Sequence, residues 1–183
     1  MATHPTARRL LESALLIIDR DGVDALTVRA LVDESGVSNG SVYHHVGSLD
    51  RLRSAVADEA TRIWSTDFLA ALRRGGYAAA AAADRSWSRA HPDLARLIDD
   101  EGRRGRLGPG ARRFGSDLRG WLDSNGLAIG APGHLVAAIM IAPMMELRRL
   151  ERATGHEPTD DDFTSLEAAV TAALAALNIP HDR

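Results

Sequence analysis

Along this chain apolar residues recur every three or four positions, and strict alternation is almost absent, so the pattern is helical nearly throughout. Leu10, Ala14, Ile17 and Ile18 share one face of a helix predicted from about Thr6 to Arg20, which Gly22 ends. Thr27 can cap a short second helix running to about Glu34. Gly36 supplies a tight turn, and Ser38 can cap a third helix through about His45. A long helix follows from about Ser48 to Arg74, stopped by Gly75 and Gly76. Further helices are predicted over Ala78 to Ala90, Pro92 to about Arg103, and Ala111 to Asn125. Pro132 suits the first turn of a helix reaching about Ala153, kinked at Pro143, and Thr159 with Asp160, Asp161 and Asp162 opens the last. The expected architecture is all-α: a three-helix unit over residues 1–50, then a larger helical body over 51–183.

Composition narrows the function classes. Of 183 residues, 45% are hydrophobic and 26% charged, enough to bury a core and ordinary for a soluble protein. Cysteine is absent, which excludes disulfides, thiol catalysis and cysteine-zinc sites. The N-terminal apolar run is short, interrupted by Glu12, and lacks a signal-peptide profile. The uncharged run from Leu135 to Met145 falls well short of the ~20 residues that span a bilayer. A cytoplasmic protein without a membrane partner is therefore expected. Net charge is −3, and residues 1–55 hold six arginines (8, 9, 20, 29, 51, 53) against seven acids (12, 19, 21, 24, 33, 34, 50). Any affinity for nucleic acid must come from local arrangement, because bulk charge opposes it.

Two short helices joined at a glycine turn match a helix-turn-helix. Leu31, Val37, Val42 and Val46 are placed to pack them together, and Ser38, Asn39, Gly40, Ser41, Tyr43 and His44 then point outward. Those side chains are mostly short, polar and uncharged, so a major groove admits them closely. Asparagine suits bidentate pairing with adenine, worth about 1–3 kcal/mol of discrimination. His44 and His45 stand about 100° apart on a helix and cannot chelate one ion side by side, so neither a metal site nor acid-base catalysis is expected of them. DNA contact and a plain surface role remain open for the pair.

The run LTVRALVDESGVSNGSVYHHVGSLDRLRSAV, residues 26–56, resembles the DNA-binding signature of the TetR (tetracycline-repressor) family, and the preceding helix with Arg8 and Arg9 agrees. The resemblance implies base-edge contacts for Asn39, Gly40 and His44 on a recognition helix running Ser38 to His44. It implies phosphate contacts for Thr27, Ser41, Tyr43 and His45, with Arg29 a further candidate. Two positions depart from the pattern. Val32 stands where the family usually has a small residue, and Leu49 where it commonly has a phosphate-binding lysine.

The body holds Trp64, Phe68, Trp87, Phe114, Trp121, Met140 and Met144 at helical spacing, which makes them core residues first. The resemblance implies that the helices carrying them enclose a pocket for a small-molecule effector. Leu147 and Leu150 on one helix, and Phe163, Leu166, Val170, Leu174 and Leu177 on the last, form apolar stripes that either close the monomer core or meet a second copy. The resemblance implies the latter, a four-helix homodimer interface, with alanines at 168, 169, 172, 173, 175 and 176 permitting close approach. Arg103, Arg104, Arg106, Arg112 and Arg113 surround a glycine-proline loop that is either solvated or anion-binding. His91, His134 and His156 adjoin helix ends, where capping or surface roles are expected. No nucleophile elbow, phosphate loop or cofactor motif is present, so neither an enzyme nor a cofactor is expected. The implied partners are a double-stranded DNA operator, a second copy of the chain and a small-molecule effector. The implied function is a transcriptional regulator, a repressor released by that effector. The competing reading is a helical ligand-binding or protein-interaction module with a weakened DNA head.

Overall fold

A computed structural model describes residues 4–106 and 108–178. Every regular element among them is helical: α1 (Pro5–Asp21), a 3-10 turn (Val23–Ala25), α2 (Val28–Ser35), α3 (Asn39–Val46), α4 (Leu49–Ala90), α5 (Pro92–Arg103), α6 (Pro109–Ser124), α7 (Gly133–Met140), α8 (Ala142–Thr154) and α9 (Asp160–Ala176). None is long and apolar enough to cross a membrane. The described residues fall into two compact units, one within Met1–Ile63 and Ser88–Arg112, the other within Trp64–Trp87 and Arg113–Arg183.

In the first unit α1 buries Leu10, Ala14, Ile17 and Ile18, the face the sequence pattern picks out, together with Ala7 and Ser13. Leu52, Val56, Ala57 and Ala60 of α4 and Leu94, Ala95 and Leu97 of α5 complete this core. One carboxylate is buried among them. Glu101, 1% exposed, accepts from Ser54 Oγ at 2.5 Å, from Arg104 Nη1 at 3.1 Å and from Arg106 Nη2. Arg106 Nη1 also donates to Asp50 at 3.0 Å, so the turn after α5 is tied to the first turns of α4. Burial pushes the Glu101 carboxyl up, but the hydrogen bonds from Arg106, Ser54 and Arg104 outweigh it and hold the group below its usual range.

The second unit has an aromatic centre. Trp64 lies 5.1 Å from Phe68 and 5.0 Å from Phe114, ring centroid to centroid, and Phe68 lies 5.6 Å from Phe114. Trp64 Nε1 donates to Asp84 Oδ1 at 2.9 Å, which also accepts from Arg148 Nη1 at 3.1 Å. The helix labelled α4 is broken here at Gly75 (φ −145°, ψ 22°) and Gly76 (φ 73°, ψ −165°), the stop expected from sequence. The positive φ at Gly76 strains any side chain, and a Cβ there would also meet Glu167 Oε1, which accepts from the Tyr77 N–H at 2.6 Å. Further along, the expected Pro132 to Ala153 helix is two helices. Pro132 is an N-cap (φ −60°, ψ 139°), not a first-turn residue, and the chain breaks at Ile141. Pro143 has no N–H to continue the ladder and its ring crowds the carbonyl four residues back, so the helix is interrupted near the expected kink, at Ile141, whose backbone stays in the right-handed helical region (φ −96°, ψ −44°). Thr159 begins α9 with a full capping box, accepting from the Asp162 N–H while Asp162 accepts from the Thr159 N–H.

Glu101→Gln should lower stability by about 2 kcal/mol at neutral pH, since hydrogen bonds to a charged partner are lost from a buried site. The folded pKa is depressed, so the stabilisation is fully present above the ordinary value of 4.5 and disappears as pH falls through the lowered one. Urea unfolding of wild type and variant across pH 3–7 should show the gap closing below about pH 4.5.

Candidate nucleic-acid interface

The helix-turn-helix rests on a turn of four residues. Ser35, 1% exposed, donates from Oγ to the Leu31 carbonyl at 2.5 Å and accepts from the Val37 N–H at 3.2 Å. Gly36 adopts the left-handed conformation (φ 66°, ψ 13°), and its N–H closes on the Val32 carbonyl at 2.8 Å. Thr27 Oγ1 caps α2 by accepting from the Ala30 N–H at 3.1 Å, and Ser38 Oγ caps α3 by accepting from the Ser41 N–H at 3.4 Å. Leu31, Val42 and Val46 are buried, as their spacing predicts, and Val37 is half-buried. The departing Val32 is half-buried too, and α2 and α3 keep their contact.

With Val42 and Val46 turned inward, the rest of α3 is offered to solvent. Ser38, Asn39, Gly40, Tyr43 and His44 are exposed, as are Thr27 and Arg29, while Ser41 and His45 are half-buried. Tyr43 leaves 56% of its surface in solvent, high for an aromatic residue. Nothing lies within 4 Å of the place a Gly40 Cβ would take, so the backbone is open there to close approach. All nine candidate residues thus lie on the helix-turn-helix, outside its apolar seam. Leu49 is half-buried and lines a shallow hollow with Val28, Val42, Tyr43 and Val46.

The sequence does not reveal His4. Its ring caps α1 and stacks on His45 at 4.5 Å, and His45 meets His44 edge-on at 4.9 Å. Burial, and then the proximity of His4 and His44, lowers the His45 pKa from its ordinary value. His91 was expected to cap or sit at the surface; at the start of α5 its ring makes no cap, and Nδ1 lies 2.9 Å from Asp19 of α1. Of the five loop arginines, Arg103 pairs with Asp100, Arg104 with Glu101, and Arg106 with both Glu101 and Asp50, while Arg112 and Arg113 are exposed. Among the described residues no three His, Asp or Glu side chains gather to hold a metal.

In the second unit Trp64, Phe68, Trp87, Met140 and Met144 are buried, and Phe114 and Trp121 half-buried. A hollow beside Asp84, Met144 and Arg148 measures about 10 Å³, room for about one water. The apolar stripes divide. Phe163, Val170 and Leu174 are buried within the unit's own core, Leu147, Leu166 and Leu177 are half-buried, and Leu150 is 42% exposed. The outer face of α9 is instead Ala168, Ala169, Ala172, Ala175 and Ala176.

Comparison with known proteins agrees with this geometry. Residues 10–56 match the family described as bacterial regulatory proteins, tetR family. An uncharacterized HTH-type transcriptional regulator of Mycobacterium tuberculosis is 47% identical over 47 residues, which take in 26% of this chain and 22% of that protein. This chain therefore covers only about a fifth of that relative's length. A TetR family transcription regulator from Marinobacter aquaeolei VT8 superposes with a TM-score of 0.67 at 18% identity, covering 92% of this chain and 95% of the other. The multidrug binding protein EbrR, solved with imidazole, superposes with a TM-score of 0.66 at 17% identity, covering 97% and 93%. Residues 10–56 thus carry a helix-turn-helix that matches the tetR family of bacterial regulatory proteins, on an all-α fold shared with solved structures of such regulators.

Proposed function

We propose that the protein is a homodimeric repressor that reads a palindromic operator with α3 and is released by a small-molecule effector. The observation carrying this reading is the exposed face of α3, where Asn39, Gly40 and His44 project beyond a buried Val42–Val46 seam. Asn39 and His44 address base edges; Thr27, Ser41, Tyr43 and His45 supply hydroxyl and ring donors to phosphates, with Arg29 beside them. One short helix reads only a few base pairs, so two copies about one DNA turn apart are needed for a unique site. The surface for the second copy is the alanine face of α9 with Leu150 of α8, since Phe163, Val170 and Leu174 are already used by the core.

The effector reading draws support from the shared fold of EbrR, a multidrug binding protein. An apolar or aromatic ligand entering the second unit parts the packed Trp64, Phe68 and Phe114 rings. It releases DNA only by binding one separation of the two heads more tightly than the other.

Selection from a random duplex pool, followed by salt-dependent binding, tests the DNA reading: an enriched palindrome supports it, and sequence-blind binding overturns it. Asn39→Ala should relax preference at one position in each half-site, whereas Tyr43→Phe should weaken every sequence by a similar factor. Ala172→Glu, at the outer face of α9, should yield a monomer by sedimentation and abolish binding to the palindrome while leaving the helical circular-dichroism signal intact. Operator affinity that stays constant across a panel of apolar and aromatic ligands would sink the effector arm.

A further inference from the structure

The six arginines of the first 55 residues differ in what they face. Arg8 is held by Glu12 at 2.8 Å, Arg20 by Asp21 at 2.8 Å and Glu34 at 3.3 Å, and Arg29 loosely by Asp33 at 3.9 Å. Arg53 is half-buried, its Nε is closed off from solvent, and it lines a groove with Asp21, Asp24, Asp93 and Asp100. Arg9 and Arg51 are different. Both are exposed, and neither guanidinium has a carboxylate or hydrogen-bond partner among the described residues.

Their positions are related through α3. Arg9 reaches from α1 to Gly36, three residues before α3 begins, with Nη2 3.5 Å from the place of a Cβ there. Arg51 folds back from the first turn of α4 to Gly47, the residue closing α3, with Nη1 3.4 Å and Cδ 3.7 Å from the corresponding point. An unpaired guanidinium therefore stands at each end of an eight-residue helix that carries neither an acid nor an arginine.

We propose that Arg9 and Arg51 are paired phosphate anchors that bracket α3 on the duplex, a role that rests on α3 being the reading helix. Guanidinium geometry matches two phosphate oxygens at once, and no internal ion pair has to open before the contact forms. A carboxylate a few ångströms from Arg8 or Arg20 largely cancels that charge for a phosphate approaching within the Debye length. Sequence counting, six cations against seven anions, hides this inequality. Arg51 also restores, from two residues further on, the positive charge that Leu49 does not supply.

The test is fluorescence anisotropy of the full chain with two labelled duplexes between 0.05 and 0.3 M salt, as about that range keeps counterion release measurable. One duplex carries the palindrome selected from the random pool and the other a scrambled sequence. Each of Arg9→Gln and Arg51→Gln removes two contacts per dimer and should flatten the slope of log affinity against log salt by about 1.8, equivalent to a loss of about sixtyfold at 0.1 M salt, and equally on both duplexes. Arg51→Lys should keep the slope, and Arg8→Gln and Arg20→Gln should leave it nearly unchanged; matching thermal midpoints exclude misfolding. Unchanged slopes in Arg9→Gln and Arg51→Gln, or equal losses in the Arg8 and Arg20 controls, overturn the proposal. If no palindrome is enriched but the scrambled duplex shows the slope losses, the anchors stand and the operator reading falls. A wild-type chain that binds neither duplex overturns both.

Discussion

What α3 can present depends on the turn that sets it against α2. A serine hydroxyl tied to two backbone groups, a left-handed glycine and a capping serine leave the segment from Ser35 to Ser38 little freedom. The apolar seam that this turn brings together is small: Leu31 from one helix and Val42 and Val46 from the other. Because α2 and α3 are only eight residues each, neither would hold its shape in water alone. Caps, turn and seam act together, and the polar face of α3 is what remains once they are satisfied.

The parts of this head that were legible in the sequence are the local ones. Thr27 and Ser38 as caps, Gly36 as the turn and the α1 face of Leu10, Ala14, Ile17 and Ile18 follow from neighbours within four residues. Gly75 and Gly76 announced a break for the same reason. Contacts between distant residues were not legible. His4 on His45, His91 on Asp19 and Glu101 on Ser54 depend on tertiary geometry that no periodicity encodes. Pro143 was visible as a disturbance, and its neighbour Ile141 marks where one helix ends and the next begins. The stripe on α9 illustrates a further limit: apolar spacing identifies a face to be buried without saying what buries it, and Phe163, Val170 and Leu174 turned into their own chain.

Electrostatics here is a matter of allocation. The chain carries a net charge of −3 and no lysine, yet its acids are spent largely on particular arginines. Arg104 and Arg106 converge on Glu101, Arg85 takes Glu151 and Glu157, and Arg148 takes Asp84. Such pairs add little stability where they are exposed. Their larger effect is to decide which cations remain available to a polyanion.

The first unit is not continuous in sequence: α5 returns to it after the chain has passed through residues of the second. Leu94 and Leu97 bury against a core begun in α1 about eighty residues earlier, and Glu101 finds Ser54 across 47 positions. During synthesis the N-terminal helices therefore emerge with an apolar face still uncovered, and the unit closes only after about residue 106 has left the ribosome. A helix-turn-helix that looks detachable at the level of motif is thus, as a folding unit, committed to the rest of its chain.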